Sequence, residues 1–141
     1  MPTITVQSGH RISEKRAADI RRATRDYKDA LIKGKEPIPG EFERTHASVK
    51  RWSIARNIHA ADPVKQMLKL TEETGELAAA IARDNAAAMV DAVGDILVVL
   101  TILCQQTGIS LTAAFEEAYQ TIKNRNGKTV NGVFVKEEDL K

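Results

Sequence analysis

The chain has 141 residues, 43% apolar and 28% charged, with a net charge of +2. That is the length of one domain with a real core and an ordinary composition for a soluble globular protein. The longest apolar run, Ile96 to Cys104, contains Thr101 and is about half of what crosses a bilayer. The opening "MPTITVQSGHRISEK" has no apolar segment of the signal-peptide kind. The single cysteine, Cys104, excludes a disulfide framework and a zinc knuckle, and fits a small core residue in a reducing cytoplasm.

In chain order, residues 1–10 read as frayed. Ser13 caps a first helix through about Lys33, with Ile20, Ala23, Tyr27, Ala30 and Leu31 on one stripe and Gly34 ending it. Residues 1–60 hold 13 basic against 7 acidic side chains, while 61–141 hold 8 against 12. The basic charges of the first helix are interleaved with Asp19, Asp26 and Asp29, which favours a solvated face over a nucleic-acid arm. "GKEPIPGE", residues 34–41, is the clearest linker. Thr45 then caps a short helix holding Val49, Trp52, Ala55 and Ile58. Asp62-Pro63 starts a helix running to about Arg83. Asp84 or Asn85 restarts the chain into a long helix closed by Gly108. Ser110 caps a last helix with Leu111, Phe115, Ala118, Tyr119 and Ile122 on one face, stopped at Gly127 in a left-handed conformation. "KTVNGVFV" carries the Asn-Gly signal of a β-hairpin. The expected fold is all-α: an antiparallel four-helix-type bundle with an extra N-terminal helix and a small C-terminal β-hairpin.

The two central helices hold the chemistry. At about 100° per residue, Glu72 and Glu76 lie about 40° apart, Glu73 and Glu76 about 60°, and Asp91 and Asp95 about 40°. Across the short turn at 84–86 the two sets can meet face to face. No lysine or arginine lies between residues 84 and 122, and Lys69 is expected to meet one glutamate at most. Carboxylates beside a buried apolar helix need neutralising, and a set of oxygen donors suits a hard divalent cation such as Mg²⁺ or Mn²⁺. The alternative is an acidic surface helix, the commoner fate of "EETGE" by itself. His10, His46 and His59 show no ligand spacing, which argues against zinc. Phosphate loops, serine elbows and dinucleotide fingerprints are absent from the sequence. At "IKNRNGK", Lys123, Asn124, Arg125 and Lys128 form a basic helix end, suited either to the helix dipole or to clamping phosphate.

These segments resemble a known family. "WSIARNIHAADPVKQMLKLTEETGEL", "DAVGDILVVLT" and "GKTVNGVFVKE", roughly residues 48–141, look like the short, phage-type members of the MazG-like all-α nucleoside triphosphate pyrophosphohydrolases. That family's signature is E-E-x-x-E followed by E-x-x-D. The resemblance implies a catalytic bundle over 48–141 preceded by an extension over 1–47, which it does not cover. It implies Mg²⁺-dependent hydrolysis of (deoxy)nucleoside triphosphates to monophosphate and pyrophosphate, in a homodimer or homotetramer. It also implies action in the cytoplasm (the host's for a phage-encoded chain), with neither membrane nor nucleic acid as partner. By matched position, Glu73, Glu76 and Asp95 are metal ligands and Glu72 and Glu73 catalytic carboxylates. Lys69, Lys123, Asn124 and Arg125 are the substrate-binding candidates. The first acid of E-x-x-D falls at Ala92, so Asp91 is the expected replacement ligand. A non-catalytic nucleotide-binding or regulatory bundle is the alternative, and a nucleic-acid-associated protein using the basic N-terminal helix is a third.

Overall fold

The computed structural model describes residues 40–140, together with eight positions before them. Those eight, Glu14, Lys15, Ala18, Arg21, Arg22, Arg25, Asp26 and Asp29, are helical and exposed, as a solvated helix face requires. The apolar stripe read between Ile20 and Leu31, the Gly34 stop and most of the linker lie outside the described residues. The chain divides into two compact units, residues 1–107 and 108–141.

The first unit holds helices α1 (Glu41–Ala55), α2 (Pro63–Ala82) and α3 (Ala86–Thr107). α1 begins four residues before the expected Thr45 cap. Gly40 takes its N-cap position in the left-handed region, at φ 81°, and its carbonyl accepts from the Arg44 amide at 3.1 Å. Glu41 and Glu43 then complement the helix dipole in the first turn. Gly40 has no side chain to accept the free amides of the first turn, so side-chain capping rules do not mark this start. The stripe expected on this helix also shifts. Ser53 is fully buried, whereas Trp52 is exposed and lies under the Arg56 guanidinium, 4.5 Å from its ring centroid.

α2 starts as expected: Asp62 accepts from the Val64 amide at 2.9 Å and Pro63 stands at the first helical position. Its inward residues are Gln66, Leu70, Glu73, Leu77 and Ala80, recurring every three or four positions as one packed stripe does. Asp84, at φ 50°, turns the chain, and the Asn85 side chain caps α3 by accepting from the Ala88 amide at 3.1 Å. The short turn makes α2 and α3 an antiparallel pair, and their packing forms the main contact of the unit.

Ala87, Ala92, Val99, Ile102 and Cys104 of α3 are buried. Buried Thr101 satisfies its hydroxyl by donating to the Leu97 carbonyl at 2.7 Å. Near the far end of α3, Gln105 donates to the Lys50 carbonyl and Gln106 to the Ile58 carbonyl, at 3.3 and 2.9 Å. These bonds hold the end of α1 and the following turn against α3. The helix as a whole is longer and more apolar than the Ile96–Cys104 run suggested. Among the described residues it alone is long and apolar enough to cross a membrane by length and composition.

The second unit holds α4 (Leu111–Ile122) and a hairpin of β1 (Gly127–Val130) and β2 (Val133–Lys136). Ser110 caps α4 by accepting from the Ala113 amide at 3.3 Å. Asn131 and Gly132, at φ 49° and 80°, make the tight hairpin turn read from Asn-Gly. Gly127 departs from its expected role. It is no left-handed helix stop but the first strand residue, paired with Lys136, where an added Cβ would lie 2.2 Å from the Val135 carbonyl oxygen. The protein is thus all-α with a small C-terminal antiparallel hairpin.

Candidate functional site

The stripe pattern of α2 puts Glu73 where a leucine would normally pack. Only 7% of its side chain is exposed, against 51% for Glu72. Lys69 lies one turn earlier and bridges both, its Nζ 3.1 Å from Glu72 Oε2 and 3.0 Å from Glu73 Oε1. The expectation that Lys69 would meet one glutamate at most is therefore wrong. Positions three and four residues on are adjacent on a helix, so one ammonium reaches both. Glu73 and Glu72 hold the Lys69 ammonium above its ordinary pKa. Glu73 keeps a second oxygen, Oε2, that is buried and has no hydrogen-bond partner.

Glu76, half-buried on the same helix, completes the α2 set. Burial pushes its carboxyl above the usual glutamate value, and the negative charges of Glu73, Glu72 and Asp95 push the same way against Lys69. Asp95 of α3 is thereby close enough in charge to act on Glu76, which joins the acids of the two helices electrostatically. Ala92, where the resemblance read from the sequence would place an acid, is 4% exposed and packed inward. Asp91 is half-buried one residue earlier.

Asp91 and Asp95 also share a wall of a groove of about 420 Å³ between α1 and α3. Phe42, His46 and Val49 of α1 and Val90 and Leu97 of α3 give it an apolar lining. The Phe42 and His46 rings stack with centroids 6.1 Å apart. Burial, then the nearby Lys50 charge, lowers the His46 pKa and favours the neutral imidazole. Sequence reading missed this groove, although Phe42, Thr45, His46 and Val49 recur at helical spacing; a start placed at Thr45 truncated the pattern.

Lys123, Asn124 and Arg125 lie in the second unit, exposed at the end of α4. The Lys123 amide donates to Tyr119 and that of Arg125 to Ile122, closing the helix. Arg125 lines an open polar pocket with Asn126, Lys136, Glu137 and Glu138.

Among the described residues, no three His, Cys, Asp or Glu side chains stand as a ready metal cage. The donor set nevertheless fits a hard cation in its chemistry. The donors are all carboxylate oxygens, one is a buried orphan, and the mutual repulsion at Glu76 would be relieved by added positive charge. Among the described residues, His46 shares the groove with Asp91 and Asp95 but completes no three-ligand group with them, and Cys104 is a buried core thiol whose pKa burial raises.

An all-α protein with carboxylates gathered on a helix hairpin is the class that fold and site define. The comparisons with known proteins specify it. The MazG nucleotide pyrophosphohydrolase domain matches residues 62–130, which include Glu72, Glu73, Glu76, Asp91 and Asp95, so the resemblance read from the sequence holds over this segment. The chain is also similar to an uncharacterized 18.2 kDa protein in the rep-hol intergenic region of Haemophilus phage HP1 (strain HP1c1). The two are 36% identical over 70 residues, covering 49% of this chain and 43% of the phage protein, so the match spans less than half of that relative. No solved structure matches the chain.

Proposed function

We propose that the protein hydrolyses (deoxy)nucleoside triphosphates to the monophosphate and pyrophosphate, with Mg²⁺ as the required ion and Mn²⁺ as a substitute. The observation that carries this reading is Glu73, a buried carboxylate with an orphan oxygen inside the segment that matches the MazG domain. Glu73, Glu76 and Asp95 would hold the cation, with Asp91 standing in for the acid absent at Ala92. When bound, such an ion neutralises phosphate charge and acidifies a water molecule. Glu72, the most exposed of the α2 acids, would orient that water and accept its proton. Lys69 would bind phosphate oxygens beside the acidic cluster; Lys123, Asn124 and Arg125, at the end of α4 in the second unit, carry phosphate-binding chemistry of their own. The groove beside Asp91 and Asp95 supplies an apolar surface on which a base can lie. Residues 48–141 form the catalytic part in this reading, 1–47 an extension, and the active species is a homodimer or homotetramer working in the cytoplasm.

Incubation with Mg²⁺ and a panel of dNTPs should release pyrophosphate, and EDTA should stop it. No release from any nucleotide would sink the proposal. Glu76→Gln and Asp95→Asn should each lower turnover by about two orders of magnitude or more while the helical circular dichroism persists. One observation favours a second reading, a nucleotide-binding bundle without turnover: Ala92 occupies a family acid's position and is buried. Saturable nucleotide binding with no product formed would select it.

A further inference from the structure

Lys69 is tied to the acidic cluster in a way that substrate binding alone does not explain. Its ammonium sits on Glu72 and Glu73 together, at 3.1 and 3.0 Å, and Glu73 is one of the carboxylates that a cation would use. Glu73 is more than nine-tenths buried, and the oxygen that Lys69 does not reach has no partner. A buried carboxylate with one oxygen neutralised and one orphaned is a ligand half-compensated. Lys69 itself is half exposed, so it can leave the pair for solvent without unpacking the core. No other basic side chain is in the α2 sequence apart from Lys65, one turn further from the glutamates.

We infer that Lys69 is an internal counter-ion that competes with a divalent cation for Glu73, and so sets the cation affinity of the site. This rests on the metal-ligand reading above. Without a cation, Lys69 keeps the buried Glu73 charge compensated and the hairpin packed. When a cation is held, the ammonium is released from the pair and becomes available to an anionic group. The cost of displacing Lys69 weakens cation binding by design, leaving the site to fill fully when substrate anions add their own charge.

The test measures Mn²⁺ affinity of the wild type, Lys69→Met, Lys69→Arg and Lys65→Met by calorimetry, without nucleotide. Lys69→Met should bind Mn²⁺ about five- to tenfold more tightly than the wild type. Lys69→Arg, which keeps the charge, and Lys65→Met, which removes a charge outside the pair, should stay within about twofold. A second measurement needs no variant. Acylation of wild-type Lys69, followed by mass spectrometry relative to Lys65, should rise severalfold on adding Mg²⁺. Unchanged or weaker Mn²⁺ binding by folded Lys69→Met overturns the proposal, as does an acylation ratio indifferent to saturating Mg²⁺. Absence of cation binding in all four proteins overturns it together with the metal-ligand reading. Cation binding without nucleotide hydrolysis overturns only the proposed activity.

Discussion

A glutamate packed between two helices costs several kcal/mol unless something compensates its charge, and at Glu73 the compensation comes from a lysine on the same helix. Glu76 has no such neighbour of its own. Burial and the charges of Glu73, Glu72 and Asp95 raise its carboxyl above the ordinary glutamate value of 4.5. For an acid whose folded pKa is raised, the favourable contribution is full below the unfolded pKa and is lost as pH rises through the folded one. At neutral pH and without metal, ionised Glu76 therefore destabilises the fold. Glu76→Gln removes that repulsion. In EDTA at pH 7–8 its melting temperature should exceed the wild type's by about 1–4 °C, and the gap should close as pH falls below the ordinary glutamate range. Thermal melts from pH 4 to 8 check this, and a lower melting temperature for Glu76→Gln at pH 8 would contradict it. The same substitution abolishes the proposed activity, so stability and function should move in opposite directions.

Among the elements, those with local chemical signals were legible and those without were not. Asp62-Pro63, Ser110 and Asn131-Gly132 each satisfy or direct the backbone through nearby side chains or glycine, and each appears where the sequence put it. α1 was misplaced because its N-cap, Gly40, has no side chain to mark the start, while Thr45 lies inside the helix and lines the groove. Gly127 was misread for a related reason: glycine marks both left-handed stops and close approaches, and only the strand pairing separates them. That pairing makes a prediction. A Cβ at residue 127 would meet the Val135 carbonyl oxygen at 2.2 Å and the Phe134 ring at 2.5 Å, backbone on one side and a ring on the other. Gly127→Ala should destabilise the hairpin by about 1–3 kcal/mol. Amide exchange across residues 127–136 should quicken, while amides of α2 and α3 keep their protection. Equal protection of the hairpin in both proteins would show that the strands yield to the methyl group.

For the molecule as a whole, the unresolved matter is its apolar surface. α3 is apolar enough to cross a membrane, yet only 33% of that stretch is buried within the chain. Val90, Val93 and Leu97 recur along it at helical spacing and are exposed, and α2 exposes Val64, Leu68 and Ile81. Such a surface, among the described residues, is larger than isolated surface leucines explain, and burying it against a partner would be favourable. A second copy is the economical one, since a twofold interface lets the same stripe cover itself and doubles the area removed from water. Acidic residues on the same helices argue against a lipid partner, because Asp91, Asp95 and the α2 glutamates would have to enter or border the hydrocarbon. Sedimentation at tens of micromolar should therefore give a multiple of the 15.5 kDa chain mass without detergent. Val93→Glu combined with Leu68→Glu should shift it toward the single chain. A monomer in the wild type would remove the oligomer from the proposal, and dependence on detergent or vesicles would turn the assignment of α3 toward the membrane.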